Sequence, residues 1–226
     1  MSMPFYVAPE QMMKDRADYA RKGIARGRAL VAMQTPSCIV IVAENPSSTL
    51  RKVSEIYDRI AFAGVGKYNE FDQLRVAGVR AAELRGYQYS RNDVDARSLA
   101  NQYAQVLGDV FSTMGPKPLE VELLVVEVGG SAADDRLFHI LYDGTLLDER
   151  RFSVLGGDAD GISARLATSY RDDLELPAAI KVAVAALTGP DRNVVAGDLE
   201  VATLSRNGKR RAFTRVPDDA VANALR

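Results

Sequence analysis

Apolar residues recur at helical spacing near the start of the chain, at Met13, Ala17, Ala20 and Ile24. Such a stripe is typical of a helix that packs one face against a core. Pro9 suits the first turn of this helix, and Gly23 suits its end. We therefore predict an N-terminal helix over residues 9–22, ahead of the first strand.

The rest of the chain divides into helical and extended segments. Five segments repeat apolar residues at helical spacing and are predicted to be helices: 68–85, 95–114, 160–171, 176–187 and 218–225. Ten apolar or alternating segments are predicted to be strands: 29–33, 38–43, 52–57, 59–64, 119–128, 137–142, 145–147, 151–155, 199–205 and 211–216. Asp-Gly at 143–144 and Asn-Gly at 207–208 are typical of tight hairpin turns.

The order of these elements limits the fold. Helices come in pairs between groups of hairpin-linked strands, so the strict strand–helix alternation of a doubly wound parallel sheet is absent. The order favours two sheets packed face to face with helix pairs outside them. We predict an α+β fold, a four-layer αββα sandwich with an extra N-terminal helix, and a single domain over residues 9–226.

Composition and charge exclude several classes of protein. The net charge of −1 gives no overall basic field for nucleic acid, and the single cysteine, Cys38, fits a reducing compartment. No apolar run approaches the roughly 20 residues of a membrane span. The first eight residues lack the charged and apolar regions of a signal peptide. We predict a cytoplasmic protein with no membrane or nucleic-acid partner.

No set of residues favours catalytic or metal chemistry. His139 is the single histidine and lies mid-strand, and one His with one Cys is too few for an ordinary structural zinc site. Residues 156–161 open a helix but lack the Walker lysine, so an aspartate-capped turn is the better interpretation. Residues 3–34 contain no Ser, Thr or Cys to act as a nucleophile at the start of the first strand. We predict no catalytic residue, metal or cofactor.

Three blocks of sequence match one family, and weaker matches extend over nearly the whole chain. The blocks are Val-Ala-Glu-Asn-Pro-Ser at 42–47, Lys-Val-Ser-Glu-Ile-Tyr-Asp-Arg at 52–59 and Gly-Lys-Tyr-Asn-Glu-Phe-Asp at 66–72. The chain closely resembles the α-subunit of the actinobacterial 20S proteasome core particle. The resemblance implies an αββα sandwich of the N-terminal-nucleophile hydrolase type, in agreement with the fold predicted from the order of the elements.

The resemblance also implies a non-catalytic role in a large complex. Family α-subunits form homo-heptameric outer rings that cap rings of β-subunits, whose N-terminal threonines cleave peptide bonds. The implied role is to control the entry of unfolded protein substrates into the β-ring chamber. It also includes docking the C-terminal tails of a ring-shaped AAA+ proteasomal ATPase or an ATP-independent activator. The chain itself is then not an enzyme but a subunit of a threonine-type endopeptidase complex.

Two sets of residues carry these roles by resemblance. The gate segment, which closes the ring entrance in the family, corresponds to Met1, Ser2, Met3, Pro4, Phe5, Tyr6, Val7 and Ala8. The pocket that receives the activator tail corresponds to three residues. Lys52 would pair with the tail carboxylate, while Gly27 and Gly66 would leave room for the tail.

Two alternatives to this interpretation stay open. A catalytic N-terminal-nucleophile peptidase or amidase of the same fold would need a nucleophile freed by processing, and an intact mass would reveal that cleavage. An unrelated α/β enzyme would use a phosphate site at Gly156 and Gly157, and saturable nucleotide binding would support it.

Overall fold

The structure is a computed structural model that describes residues 8–206 and 208–226. In these ranges the chain forms six α-helices: α1 (Pro9–Ala25), α2 (Tyr68–Gln88), α3 (Ala96–Ser112), α4 (Ala159–Ser169), α5 (Leu176–Thr188) and α6 (Asp218–Leu225). It forms ten strands: β1 (Leu30–Gln34), β2 (Cys38–Glu44), β3 (Val53–Tyr57), β4 (Ile60–Gly66), β5 (Val121–Glu127), β6 (Arg136–Ile140), β7 (Leu146–Glu149), β8 (Phe152–Leu155), β9 (Leu199–Ser205) and β10 (Phe213–Arg215). No helix in this described part is long and apolar enough to cross a membrane.

The strands form two five-stranded antiparallel sheets within the described residues. The first has the order β10-β9-β2-β1-β8 and the second the order β3-β4-β5-β6-β7. Leu30 at the start of β1 pairs with Ala43 near the end of β2, and Gly66 at the end of β4 pairs with Val121. Every residue of β2 is buried, as expected for a strand covered on both faces.

Three buried apolar clusters separate the layers of the fold. Alternate residues of β1 point in opposite directions, so that Leu30 joins the cluster between the sheets and Val31 joins the cluster under α4, α5 and α6. The third cluster lies between the second sheet and helices α2 and α3, and includes Phe62. Burying a side chain of this size contributes roughly 1.5–3 kcal/mol. The predicted four-layer αββα sandwich is confirmed.

Helix α1 packs at one end of the space between the sheets. Ala20 and Ile24 of α1 belong to the cluster between the two sheets. The predicted end of this helix at Gly23 was wrong, because the helix continues to Ala25. Gly23 instead lies under the Glu120 side chain, and a Cβ on Gly23 would stand 2.8 Å from the Glu120 Cβ. The glycine permits close packing and does not stop the helix.

The last two strands form an antiparallel hairpin as predicted, but the second strand is shorter than predicted. Strand β9 ends at Ser205, whereas β10 begins only at Phe213, which pairs with Leu204. The backbone N–H of Ala212 donates to the Asp58 carbonyl oxygen at 2.8 Å, in the turn between β3 and β4. The Ala212 carbonyl oxygen accepts a hydrogen bond from the Ser205 N–H of β9 at 3.0 Å, so Ala212 is bonded both to β9 and to this turn.

Candidate functional site

Gly27 and Gly66, two of the predicted pocket residues, lie against each other. A Cβ on Gly27 would stand 3.0 Å from the backbone nitrogen of Gly66 and 2.9 Å from Val65 Cγ1. Gly66 has a φ of +104°, and a Cβ there would stand 2.9 Å from the carbonyl carbon of Glu120. Gly27 therefore requires close approach, and Gly66 requires both close approach and a backbone conformation that favours glycine.

Lys52 reaches the same place from the loop before β3. Its backbone N–H donates to Glu200 Oε2 at 2.8 Å, which fixes the chain at the start of β3. Its Nζ donates to the carbonyl oxygen of Arg28 at 2.5 Å. Because Arg28 follows Gly27 in the chain, the Lys52 ammonium stands beside the contact between Gly27 and Gly66. The structure thus brings the three predicted residues together, and we call this group the Lys52 corner.

The Lys52 ammonium is half-buried, and its protonation is sensitive to its neighbours. Burial lowers the pKa of Lys52 from 10.5 to about 8. The positive charge of Arg28 acts in the same direction, whereas the carboxylates of Glu44 and Glu200 raise the pKa. Near neutral pH the lysine is mostly charged, and it is able to bind a carboxylate.

Glu44 is the buried centre of the charges around this corner. Its side chain is only 5% exposed, and its carboxylate accepts hydrogen bonds from the guanidinium groups of Arg28 and Arg192. Burial alone would raise the pKa of Glu44, but the two arginines outweigh this and lower it. Glu44 therefore stays ionised at neutral pH.

A cleft of about 680 Å³ opens beside the Lys52 corner. Its walls come from the residues that follow α1, from the start of α4 and from the turn after α5. Arg28, Glu44 and Arg192 all line it. Gly27 of the Lys52 corner also lines the cleft, so the cleft leads from solvent to Gly27 and to the ion pair of Arg28 and Glu44.

Glu120 joins the Lys52 corner to α1. Its carbonyl oxygen accepts a hydrogen bond from the backbone N–H of Lys67 at 2.9 Å, directly after Gly66. Its side chain covers Gly23 of α1, and its carboxylate pairs with Lys117 at 3.1 Å. Gly27 also follows the end of α1 closely in the chain. The Lys52 corner is therefore connected to α1 in two ways, through the backbone at Gly27 and through the contact of Glu120 with Gly23.

The predicted gate segment falls almost wholly outside the described residues. Of its members only Ala8 is described, as an exposed residue whose carbonyl oxygen accepts a hydrogen bond from the Met12 N–H at 3.0 Å at the start of α1. Residues 1–7 lie outside the described part of the chain, so the gate assignment stays a prediction. The structure does place the start of α1 directly after that segment.

His139 has a structural partner. It is buried in β6, with Nε2 3.3 Å from Glu122 Oε2 on the neighbouring strand. Within residues 8–206 and 208–226, no group of three or more His, Cys, Asp or Glu side chains is placed to hold a metal ion.

Two further candidate motifs are also engaged within the fold. Lys209, Arg210, Arg211 and Arg215 form a basic cluster in the sequence near the C-terminus, and in the structure Arg211 pairs with Glu55 at 2.6 Å and Arg215 with Glu200 at 2.5 Å. At the start of α4, Asp158 accepts a hydrogen bond from the Gly161 N–H at 3.2 Å. The aspartate-capped turn predicted for residues 156–161 is confirmed, and the cluster's positive charge is partly compensated.

Sequence reasoning missed the charges that surround Lys52. The second predicted strand ends at residue 43, yet Glu44 is the last residue of β2 and is buried. An acidic residue that ends a wholly apolar strand is a usable signal, because a buried carboxylate needs cationic partners. Its partners Arg28 and Arg192 lie far apart in the chain, and no local pattern links them.

Comparison with known proteins identifies the family of this chain. The family model described as "Proteasome subunit" matches residues 24–202. The protein "Proteasome subunit alpha" of Acidimicrobium ferrooxidans is 61% identical over 225 residues, covering 100% of this chain and 97% of that protein. The proteins of the same name from a Nocardioides species and from Sanguibacter keddieii are 56% and 54% identical. The alignments with these two cover 96% and 100% of this chain, and 86% and 90% of those proteins. The chain therefore belongs to the proteasome subunit family, among the alpha subunits of actinobacteria.

Proposed function

We propose that this chain is the gating α-subunit of a bacterial proteasome core particle, in which Lys52 receives the C-terminal carboxylate of an activator. It forms a heptameric outer ring on a ring of β-subunits and controls the entry of unfolded protein substrates. The observation that carries the proposal is the convergence of Lys52, Gly27 and Gly66 in one corner.

The chemistry of the corner suits a chain terminus. The Lys52 ammonium is a cation partly withdrawn from water, and a carboxylate that pairs with it gains a charge-assisted hydrogen bond. Its present partner, the Arg28 carbonyl oxygen, is a neutral acceptor that a carboxylate would outcompete. The Cβ positions of Gly27 and Gly66 are filled by other atoms of the chain, so the two glycines allow the backbone beside the ammonium to pack closely.

The connection to α1 supports a gating role for the same corner. Glu120 contacts both the backbone beside Gly66 and the face of α1 at Gly23. A tail that displaces the chain at Gly66 pushes on the segment that carries Glu120, and through it on α1. Helix α1 directly follows the proposed gate, residues 1–8. Docking and gate movement are thus linked through packed backbone, without any catalytic group in this subunit.

Replacement of Lys52 by alanine tests this function. The variant should assemble with β-subunits into a particle of unchanged native mass, because the side chain contributes little to the sandwich core. Activator-dependent proteolysis should fall to the basal level, whereas basal peptide hydrolysis should stay the same. Lys181→Ala, at an exposed lysine on α5, is the matched control and should retain full stimulation. Full stimulation of an assembled Lys52→Ala particle would contradict the docking role.

A further inference from the structure

The charges around the Lys52 ammonium form a defined set within the described residues. Glu44 approaches from the end of β2, Glu200 from β9, and Arg28 from the segment between α1 and β1. Behind these, Arg192 holds Glu44, and Arg215 holds Glu200 at 2.5 Å. Two carboxylates and one guanidinium therefore act on the ammonium, and the two carboxylates are held in place by hydrogen bonds.

The carboxylates of Glu200 and Glu44 differ in their hydrogen-bond partners. Glu200 is engaged with the backbone at the start of β3, where it accepts from the N–H groups of Lys52 and Val53, and from the Asn45 side chain. Its replacement would loosen that strand. Among the described residues, Glu44 makes its side-chain hydrogen bonds with guanidinium groups only, and one of these, Arg28, has half of its side chain exposed. The charges of Glu44 and Arg28 can therefore be changed without loss of a hydrogen bond to the backbone of β3.

We propose that the Glu44–Arg28 pair sets the pH range over which an activator tail docks at Lys52, with Glu44 favouring docking and Arg28 opposing it. Both act as positioning residues, through the charge of Lys52 and not by contact with the tail. This inference rests on the proposed docking function of Lys52.

The physical basis is the competition between burial and nearby charge. Burial lowers the pKa of Lys52 to about 8, which leaves the ammonium close to the loss of its proton under mildly alkaline conditions. Docking requires the protonated form, so affinity is full below this pH and falls by up to tenfold for each unit above it. Glu44 opposes deprotonation because its negative charge is buried and held in place by two arginines.

We call the pH at which the docking affinity has fallen to half of its full value the docking midpoint. Substitution of Glu44 and substitution of Arg28 should shift this midpoint in opposite directions. Glu44→Gln keeps the shape of the side chain but removes one of the two negative charges that raise the Lys52 pKa, and it should lower the docking midpoint by roughly one pH unit. Arg28→Gln removes a positive charge and keeps the backbone carbonyl that Lys52 contacts, so the midpoint should rise. If Glu44 and Arg28 only stabilised the structure of the corner, both substitutions would shift the docking midpoint in the same direction, since both break the same ion pair.

The experiment measures binding and not proteolysis, because the β-subunits have their own pH dependence. A fluorescent peptide carrying the C-terminal residues of the proteasomal ATPase is titrated with assembled particles from about pH 6.5 to 9.5, by fluorescence anisotropy, a range that brackets the Lys52 pKa. Lys181→Gln is the matched control: it also removes one charge from the subunit, but this exposed lysine on α5 is not among the groups acting on Lys52, so its midpoint should match the wild type.

Opposite shifts for Glu44→Gln and Arg28→Gln support the inference, and equal or absent shifts overturn it. Lys52→Ala separates this outcome from failure of the docking function. If that variant still binds the peptide as tightly as the wild type, Lys52 is not the docking residue. If Lys52→Ala loses binding but the midpoints of Glu44→Gln and Arg28→Gln equal that of the wild type, Lys52 is the docking residue and the Glu44–Arg28 pair does not control its pH range.

Discussion

Replacing Gly66 by alanine should destabilise the subunit strongly, although the change adds a single methyl group. The residue has a φ of +104°, which an L-residue adopts only with strain of ~1–3 kcal/mol. The new Cβ would stand 2.9 Å from the Glu120 carbonyl carbon and 3.1 Å from the Val121 Cα, both of them backbone atoms. The end of β4 and the start of β5 must therefore move apart.

That movement adds a second cost. The Glu120 carbonyl oxygen accepts the Lys67 N–H at 2.9 Å, and separating the strands weakens this hydrogen bond, worth ~1 kcal/mol. Strain and the lost bond together give a loss of roughly 2–4 kcal/mol in the free energy of unfolding. Urea unfolding followed by circular dichroism measures this loss, at one fixed protein concentration because assembly stabilises the fold.

Two control glycines separate the contributions. Gly115 has a φ of +112°, but a methyl group added there would meet no described atom within 4 Å beyond its chain neighbours, so Gly115→Ala should show the strain alone. Gly197 has the same open space in the described structure and no positive φ, so Gly197→Ala should be close to neutral. A loss for Gly66→Ala no larger than for Gly115→Ala would refute the close backbone approach as the reason for glycine in the Lys52 corner.

Two further predictions concern the gate and the chemistry. Deletion of residues 1–8 should raise basal hydrolysis of small peptides by the assembled particle, because the proposed plug is absent, and an unchanged rate would show that the segment is not the gate. The subunit purified alone should hydrolyse no peptide and should keep its intact mass. Turnover by the pure subunit, or cleavage just before a Ser, Thr or Cys, would favour the catalytic alternative.

The fold was largely predictable from the sequence because each layer leaves a periodic pattern. In β1, Leu30 and Val31 alternate between two clusters, and α3 has apolar residues at helical spacing. The errors came from contacts distant in sequence. Gly23 lies within α1 because the side chain of Glu120 packs over it, and Ala212, which donates to the turn at Asp58, lies just before the first residue of β10.

The Lys52 corner was accessible only through family resemblance. Lys52, Gly27 and Gly66 lie on three different segments, and nothing local in the sequence indicates that β4 returns to the end of α1. The charges that tune Lys52 were not predicted, since Glu44, Arg28 and Arg192 become neighbours only when β2, the segment before β1 and the turn after α5 meet. These residues become neighbours only through tertiary packing, so no pattern of residues close together in the sequence predicts the group.

The proposed pairing of Lys52 with a tail carboxylate is tested most directly by a double-mutant cycle across the interface. The activator peptide is compared with the same peptide bearing a C-terminal amide, each on wild-type and Lys52→Ala particles near neutral pH. Amidation should weaken binding to the wild-type particle at least tenfold, and should make no further difference once Lys52 is replaced. An equal loss on amidation in both particles would show that the carboxylate pairs with some other group, and would contradict the assignment of Lys52.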